Sequence, residues 1–260
     1  MKSAFSLVEL SIVLVILGLL TGGILAGQSL IRAAELRSVS TEYSRYITAT
    51  QTFRDKYFAL PGDMNNATRF WGRAENVAQC VTNSTAAVNA SGTCDGDGDG
   101  TPEYNAANQH GEIWHFWRQL SLAGLIEGTY SGIAGPSAGH NAAISTNVPP
   151  SKLGQTGWMF YSRVAGGDGN FYAMDSAHNV FQIGNGTTGS TFGAALRPEE
   201  AWNIDTKMDD GRPAYGNILA IGWNNICSQA DAGPGSSANT NYAASYRLTS
   251  STVECALIFR

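Results

Sequence analysis

The sequence predicts an α+β protein: one long N-terminal α-helix, whose first half is membrane-spanning, packed on a head with an antiparallel β-sheet. Residues 5–27 form a near-continuous apolar run. Apolar residues then recur at helical spacing, and short aromatic and β-branched runs follow in the second half of the chain. We divide the chain into a leader at residues 1–4, the long helix at residues 5–60 and the head at residues 61–260.

The apolar run reads FSLVELSIVLVILGLLTGGILAG. Its length suffices for a spanning helix, which needs about 20 residues at about 1.5 Å each. Glu9 interrupts it, and an unpaired carboxylate in lipid costs at least ~2.5 kcal/mol, so Glu9 requires a partner. Three other interpretations of the apolar run fit less well. A signal peptide has a shorter apolar core, and a buried core helix is shorter and amphipathic. A plain membrane anchor has no reason to hold an acid.

The leader MKSA followed by FSLVEL resembles the processing site of type IV pilins and type II secretion pseudopilins. The resemblance implies that a prepilin peptidase cuts between Ala4 and Phe5 and methylates the new amine of Phe5. It also implies that Glu9 pairs with the terminal amine of a neighbouring subunit during assembly. Removing one partner of a buried ion pair costs about 3–5 kcal/mol, which agrees with that role. The family usually has Gly before the cut, so Ala4 predicts slower cleavage at worst.

The helix continues beyond residue 27 as an amphipathic segment. Its apolar stripe consists of Leu36, Val39, Tyr43, Tyr46, Ile47, Thr50, Phe53 and Tyr57. Glu42 lies outside this stripe. Pro61 predicts an end near Tyr57, because proline disfavours the helical conformation of the residue before it. The whole helix would be about 80 Å long. The following residues 65–72 are predicted to form turns.

Composition indicates a loop-rich protein outside the cytoplasm. Charged residues make up 14% of the chain and glycine is abundant, with 30 residues. The usual charged fraction is about 25%. The formal net charge is −5, and no cluster of Lys and Arg occurs, which argues against nucleic-acid binding.

The four cysteines fall into two local pairs, Cys80 with Cys94 and Cys227 with Cys255. Four cysteines allow three connectivities, of which local pairing is the simplest. Four reduced thiols in a cytoplasmic protein is the alternative. The spacing gives little support for zinc or dithiol redox chemistry, so we predict disulfides and an oxidising compartment. The segment between Cys227 and Cys255 also resembles the disulfide-bounded region near the end of type IV pilins.

An acidic segment, CDGDGDGTPE, is the most specific chemical signal in the head. Calcium prefers six to eight oxygen ligands in flexible geometry. The candidate ligands are Asp95, Asp97, Asp99, the carbonyl of Thr101, and Glu103. The segment is not an EF-hand, because Ala106 occupies the position of the bidentate Glu; Glu103 or Glu112 would complete the shell. A solvated acidic turn is the alternative, although three adjacent acids repel one another without a cation. Several pilins and pseudopilins carry structural calcium, so the resemblance favours a possible structural Ca2+.

The rest of the head predicts short elements. Residues 112–124 read as a helix with an aromatic face, and Pro198 followed by two acids predicts the start of another. The strand candidates are residues 157–163, 170–175, 179–183, 217–222 and 252–259. We expect them to form an antiparallel sheet with one packed and one solvated face. Asp205, Asp209 and Asp210 are a second cation candidate, although a helix end and turn is the preferred interpretation.

No enzyme hypothesis is supported by the sequence. Residues 135–139 fit G-x-S-x-G and residues 184–189 fit G-x-G-x-x-G, but both lack the flanking strand and helix that these motifs need, so we assign them to turns. His110 and His115 are five residues apart and would not share a helix face for zinc. We interpret them as core or surface histidines.

Together with these observations, the resemblance to type IV pilins and pseudopilins implies a structural subunit of a type IV pilus or pseudopilus. Its helix is expected in the inner membrane and its head in the periplasm, before assembly into a periplasmic pseudopilus or a cell-surface pilus. The expected partners are prepilin peptidase and other copies or other pilin-like subunits. The alternatives are a membrane-anchored binding or adhesin module without filament assembly, and an anchored hydrolase, which would need Ser137 or a histidine in a real site.

Overall fold

A computed structural model describes residues 6–74, 92–102, 111–133, 142–163, 178–186, 193–221, 227–228 and 243–260. The helices are α1 (Leu7–Tyr57), α2 (Thr68–Trp71), α3 (Glu112–Leu122) and α4 (Pro198–Met208). The strands are β1 (Thr156–Arg163), β2 (His178–Asn185), β3 (Ile218–Ile221) and β4 (Ala256–Phe259). A long apolar N-terminal helix combined with a small antiparallel sheet confirms the predicted α+β class.

Helix α1 contains 51 residues and begins with a capping box. The Ser6 hydroxyl accepts a hydrogen bond from the Val8 N–H at 3.3 Å, and the Glu9 carboxylate accepts one from the Ser6 N–H at 2.9 Å. The helix ends at Tyr57, as Pro61 predicted. Phe58 follows in a left-handed conformation with φ of 56°, and its N–H donates to the Arg54 carbonyl.

The second half of α1 packs on the head through the predicted stripe. Val39, Tyr46 and Phe53 are almost completely buried. The ring of Tyr46 lies edge-on to the rings of Trp117 and Trp158, with centroids 4.9 and 5.8 Å apart. The helical spacing of apolar residues after residue 27 thus corresponds to the contact between the helix and the core.

The sheet has the strand order β1-β2-β4-β3, and each neighbouring pair is antiparallel. Its register places Phe160, Phe181 and Phe259 side by side across β1, β2 and β4. This row contacts both helices: Phe116 of α3 stacks on Phe160 at 3.8 Å, and Tyr43 of α1 lies 4.7 Å from Phe259. The core is therefore an aromatic layer between the sheet and two helices.

Several elements differ in detail from the sequence-based expectations. Residues 252–255 are not part of β4, and every residue of β3 and β4 is buried, so the expected solvated face is wrong for these strands. The segment predicted as turns at residues 65–72 contains the short helix α2. Residues 170–175 lie outside the described residues.

An ion pair joins α1 to the head just beyond the apolar run. The Arg32 guanidinium contacts the Glu200 carboxylate at 2.7 Å and donates to the Ala195 carbonyl at 3.3 Å. Glu200 also accepts a hydrogen bond from the Arg197 N–H at the start of α4. The Arg32 guanidinium opposes the effect of burial and lowers the pKa of Glu200 below its ordinary value. Arg32 therefore connects the part of α1 just after the apolar run to a helix start in the head.

Glu42 is buried, although it lies outside the predicted stripe. Its carboxylate accepts hydrogen bonds from the Ser151 hydroxyl at 2.6 Å, the Lys152 N–H at 2.9 Å and the Trp158 indole N–H at 2.7 Å. Burial of a carboxylate is tolerated where several donors replace its water. Glu42 thus connects α1 by hydrogen bonds to β1 and to the segment that precedes it.

We expect Glu42→Ala to lower the free energy of unfolding of the head by about 3 kcal/mol, because it leaves buried donors without an acceptor. Urea denaturation of the full chain, followed by tryptophan fluorescence, measures the change. Arg37→Ala, at an exposed position on the same helix, is the control and should change stability by less than about 0.5 kcal/mol. Equal stability of the two variants would contradict the role of Glu42.

Candidate functional site

The first half of α1 presents an uncovered apolar surface. Of the described helices, α1 alone is long and apolar enough to cross a membrane by length and composition, and none of its most apolar stretch is buried. The side chains exposed along it include Leu7, Val8, Leu10, Ile12, Leu14, Leu17, Leu20, Leu25, Leu30 and Ile31. A surface of this size is typical of contact with lipid or with other proteins.

Glu9 lies in the first turn of this surface, and its carboxylate caps its own helix through the Ser6 N–H. The negative charge at a helix amino terminus is favourable because it faces the positive end of the helix dipole. The sequence analysis missed this local contact, although the spacing of Ser6 and Glu9 is the signature of a capping box. Ala4 and Phe5, the predicted processing residues, lie outside the described residues.

The disulfide between Cys227 and Cys255 is present, with a Cα separation of 5.0 Å. The backbone of Cys255 also pairs with Leu196: its carbonyl accepts from the Leu196 N–H, and its N–H donates to the Leu196 carbonyl. The disulfide therefore connects the residue before β4 to the segment after β3. The backbone pairing with Leu196 connects the same residue to the segment before α4. Cys94 is also disulfide-bonded, while Cys80, its predicted partner, lies outside the described residues.

The structure separates the predicted calcium ligands. Asp95 turns to α2, where its carboxylate accepts hydrogen bonds from the N–H and the hydroxyl of Thr68 at 2.8 and 2.9 Å. Asp99 accepts a hydrogen bond from the Thr101 N–H at 2.7 Å. Glu103 lies outside the described residues. Of Asp95, Asp97 and Asp99, it is Asp97 whose carboxylate lies close to other carboxylates.

Asp97 joins Asp63 and Glu112, and one carboxylate oxygen of each lies within 4.8 Å of the other two. Oxygen ligands 2.3–2.6 Å from a common calcium ion span about this distance, so the three groups fit one cation. Asp63 and Glu112 are buried, with 2% and 1% of their surfaces exposed. Sequence reasoning named Glu112 but missed Asp63, because residue 63 follows the helix-ending proline and reads as a turn residue.

Backbone groups hold this cluster together. Asp63 accepts hydrogen bonds from the N–H groups of Gly98 and Gly100, and Glu112 accepts one from the Asp97 N–H. Burial raises the pKa of the Asp63 carboxyl above its ordinary value; the two backbone hydrogen bonds oppose this shift, and nearby Asp99 and Asp97 add to it. The acidic segment is thus wrapped around Asp63.

The second acidic group, Asp205, Asp209 and Asp210, forms the end of α4 and the turn after it. Asp205 accepts hydrogen bonds from the Tyr246 hydroxyl at 2.8 Å and the Gly211 N–H at 3.1 Å. Asp209 accepts from the backbone N–H of Asn217 and Ile218 at the start of β3. These contacts match the preferred interpretation of a helix end and turn. Burial raises the pKa of Asp205 to about 7.

The remaining sequence patterns fall on the core or outside the described residues. His115 is buried in α3, with its Nδ1 3.2 Å from the Thr93 hydroxyl. Burial, with a smaller effect of nearby Arg118, lowers its pKa to about 3, so it is a neutral core histidine. His110 and Ser137 lie outside the described residues. Gly184 and Asn185 belong to the end of β2.

No protein-family model, curated protein or solved structure matched this chain. Its function is therefore inferred from its own residues and geometry: an uncovered apolar helix that carries one acid, and a disulfide-bonded head that covers the other half of the same helix.

We expect the stability of the head to fall as the pH rises through 7, because of Asp205. A carboxyl with a raised folded-state pKa binds its proton more tightly in the folded state, so its contribution is complete below about pH 4 and is lost as the pH passes about 7. In Asp205→Asn, the difference in Tm between pH 5 and pH 8 should be smaller than in the wild type. Asp55→Asn, at an exposed position, is the control, and parallel profiles for wild type and Asp205→Asn would contradict the assignment.

Proposed function

We propose that this chain is the membrane-inserted precursor of a pilin-like subunit. Prepilin peptidase cleaves it between Ala4 and Phe5 and methylates Phe5. The mature subunit then leaves the inner membrane and assembles by helix packing, with other copies or other pilin-like subunits, into a type IV pilus or a secretion pseudopilus. Its work is structural and mechanical, and it performs no catalysis.

The single observation that carries this proposal is the unequal covering of α1. The head buries one face of the second half of the helix and leaves the first half exposed. Exposed leucine, isoleucine and valine side chains need an apolar environment, which lipid provides before assembly and other helices provide afterwards. In a plain anchor Glu9 could only cap its own helix, whereas in a bundle of pilin-like helices its charge can also pair with the amino terminus of a neighbour.

Glu9 is suited to meet the amine of another copy. Cleavage before Phe5 creates a positive charge at the amino terminus, and neither this charge nor the carboxylate is stable alone in an apolar environment. The hydrogen bond from the Ser6 N–H uses one acceptor position of Glu9. A carboxylate offers about four such positions, so the local cap and an ion pair with a neighbour are compatible.

The disulfides support a location outside the cytoplasm. Cys227–Cys255 is formed and Cys94 is disulfide-bonded, and such bonds persist mainly in oxidising compartments. The proposed orientation therefore places the head in the periplasm while the helix remains in the inner membrane. Assembly then carries the head into a periplasmic pseudopilus or to the cell surface.

Calcium is the proposed structural cofactor of the head. Asp63, Asp97 and Glu112 would hold the ion through oxygen atoms, which are the ligands that calcium prefers. The support is the burial of two of these carboxylates beside a third, since buried acids close together repel one another without a cation. The ion would tie the end of α1 to the start of α3.

We expect Glu9→Ala and Glu9→Gln to reduce filament assembly by at least ~100-fold, because both remove the charge that pairs with the neighbouring amine. Ser6→Ala removes the hydroxyl that accepts from the Val8 N–H but keeps Glu9, its charge and the Ser6 N–H, so it is the control that should assemble. The measurement is the amount of subunit in the sheared filament fraction, together with mass spectrometry of the amino terminus.

A methylated Phe5 at the amino terminus is the expected result of processing. An intact Met1 in the mature protein would overturn the proposal. Normal location and function of Glu9→Ala would instead favour the alternative, a membrane-anchored binding module that uses α1 as a plain anchor.

For calcium, we expect a chelator to lower the Tm of the full chain by several degrees, since a ligand at 100 times its Kd stabilises the folded state by about 2.7 kcal/mol. In Asp63→Asn, the Tm should no longer respond to added calcium, whereas Asp55→Asn should respond like the wild type. A wild-type Tm that is the same with chelator and with calcium would show that the cluster holds no ion.

A further inference from the structure

A cleft of about 740 Å³ lies at the end of α1 that is farthest from the apolar run. Its walls come from the last two turns of α1, the segment at residues 58–66, the glycine-rich residues 98–100 and one residue of β2. Its volume falls within the range of about 300–1,000 Å³ that is typical of small-ligand sites. Neither the helix surface nor the proposed assembly uses this cleft.

Polar side chains form most of the wall. Six of them are Gln51, Arg54, Asp55, Asn65, Asn66 and Asn179. Asn179 donates to the Gly100 carbonyl, whereas the side chains of the other five make no hydrogen bond to any residue that the structure describes. Amides offer donors and acceptors side by side, and the guanidinium and carboxylate groups offer paired donors and paired acceptors. The wall is therefore able to bind a ligand that carries many neutral hydrogen-bonding groups.

The open part of the wall does not favour a strongly charged ligand. Arg54 is accompanied by Asp55, so an anion such as a phosphate would meet a carboxylate beside the guanidinium, and Asp63 belongs to the proposed calcium cluster. Asp63 is already engaged by the N–H groups of Gly98 and Gly100. An apolar ligand would leave the amide groups without partners. A neutral, hydroxyl-rich ligand fits the wall best.

Phe58 lines this cleft with an exposed aromatic ring and a strained backbone. Its side chain is 93% exposed, and its φ of 56° is a conformation that non-glycine residues rarely adopt. Glycine is the usual residue at a left-handed helix end. Phe70, also exposed, packs against Tyr57 and Trp71, whereas Phe58 has no ring contact with any described residue. Strained backbone conformations of this kind are concentrated at ligand-binding positions, and the face of the Phe58 ring is available for such contact.

We propose that this cleft binds a neutral carbohydrate, with one sugar ring stacked on Phe58 and its hydroxyls hydrogen-bonded by Gln51, Asn65, Asn66 and the neighbouring charged side chains. A pyranose ring has an apolar face of C–H groups and an edge of hydroxyls. The C–H groups match the negative face of an aromatic ring. The hydroxyls are both donors and acceptors, as are the amides of the wall.

The position of the cleft makes it accessible to such a ligand. Thirty residues of α1 separate residue 27 from Tyr57, which corresponds to about 45 Å of helical rise. The cleft is therefore well beyond a lipid headgroup layer if the apolar run spans a membrane. The inference does not depend on filament assembly, since an anchored monomer would present the same cleft.

The test is saturation-transfer NMR on the full chain in lauryldimethylamine oxide, a detergent without a sugar headgroup. The probes are the methyl glycosides of glucose, galactose, mannose, N-acetylglucosamine and N-acetylgalactosamine. We expect transfer to the ring C–H protons of at least one glycoside. Phe58→Ala and Asn66→Ala should each weaken binding of that glycoside by about tenfold or more.

Two variants separate ligand binding from folding. Phe70→Ala removes the neighbouring exposed ring and should bind like the wild type. Phe58→Gly suits the left-handed backbone, so it should keep or raise the Tm while losing the glycoside. The proposal is overturned if no glycoside receives transfer, or if Phe58→Ala and Phe58→Gly bind as the wild type does.

Discussion

The packing of α1 against the aromatic layer of the head is the interaction on which the rest of the structure depends. Tyr43 and Tyr46 lie against the row formed by Phe160, Phe181 and Phe259. This contact buries one face of the second half of a single continuous helix. No residue in the described part of the chain covers the first half, and its exposed apolar side chains are more stable in an apolar environment than in water.

Polar contacts fix the position of α1 on the head. Apolar packing alone tolerates sliding, whereas Glu42 places its carboxylate against three donors and Arg32 places its guanidinium against Glu200. The two contacts lie ten residues apart along α1, about 15 Å, so they fix both the rotation and the height of the helix on the head.

The two ends of α1 have different chemistry. Its amino-terminal end combines an apolar surface with Glu9, and its carboxyl-terminal end lines the polar cleft beside Phe58, together with Asp63. Gly98 and Gly100 of the acidic segment also line this cleft. The two ends are about 75 Å apart along the helix.

The sequence by itself determined the features that depend on neighbouring residues: the extent of α1, its apolar and amphipathic halves, helices α3 and α4 and most of the strands. It favoured the local Cys227–Cys255 pair as the simplest of three connectivities, and the tertiary structure settled that pair. Tertiary structure alone decided the burial of Glu42, whose partner Ser151 is 109 residues away. It also decided that the Asp95 carboxylate accepts hydrogen bonds from Thr68 and does not join the other carboxylates. It also brought Asp63 to Asp97 and Glu112, and Asn179 to the cleft. The physical reason is that periodicity and capping act within a few residues, whereas a buried polar group takes its partner from whichever distant segment the packed core brings within hydrogen-bond distance.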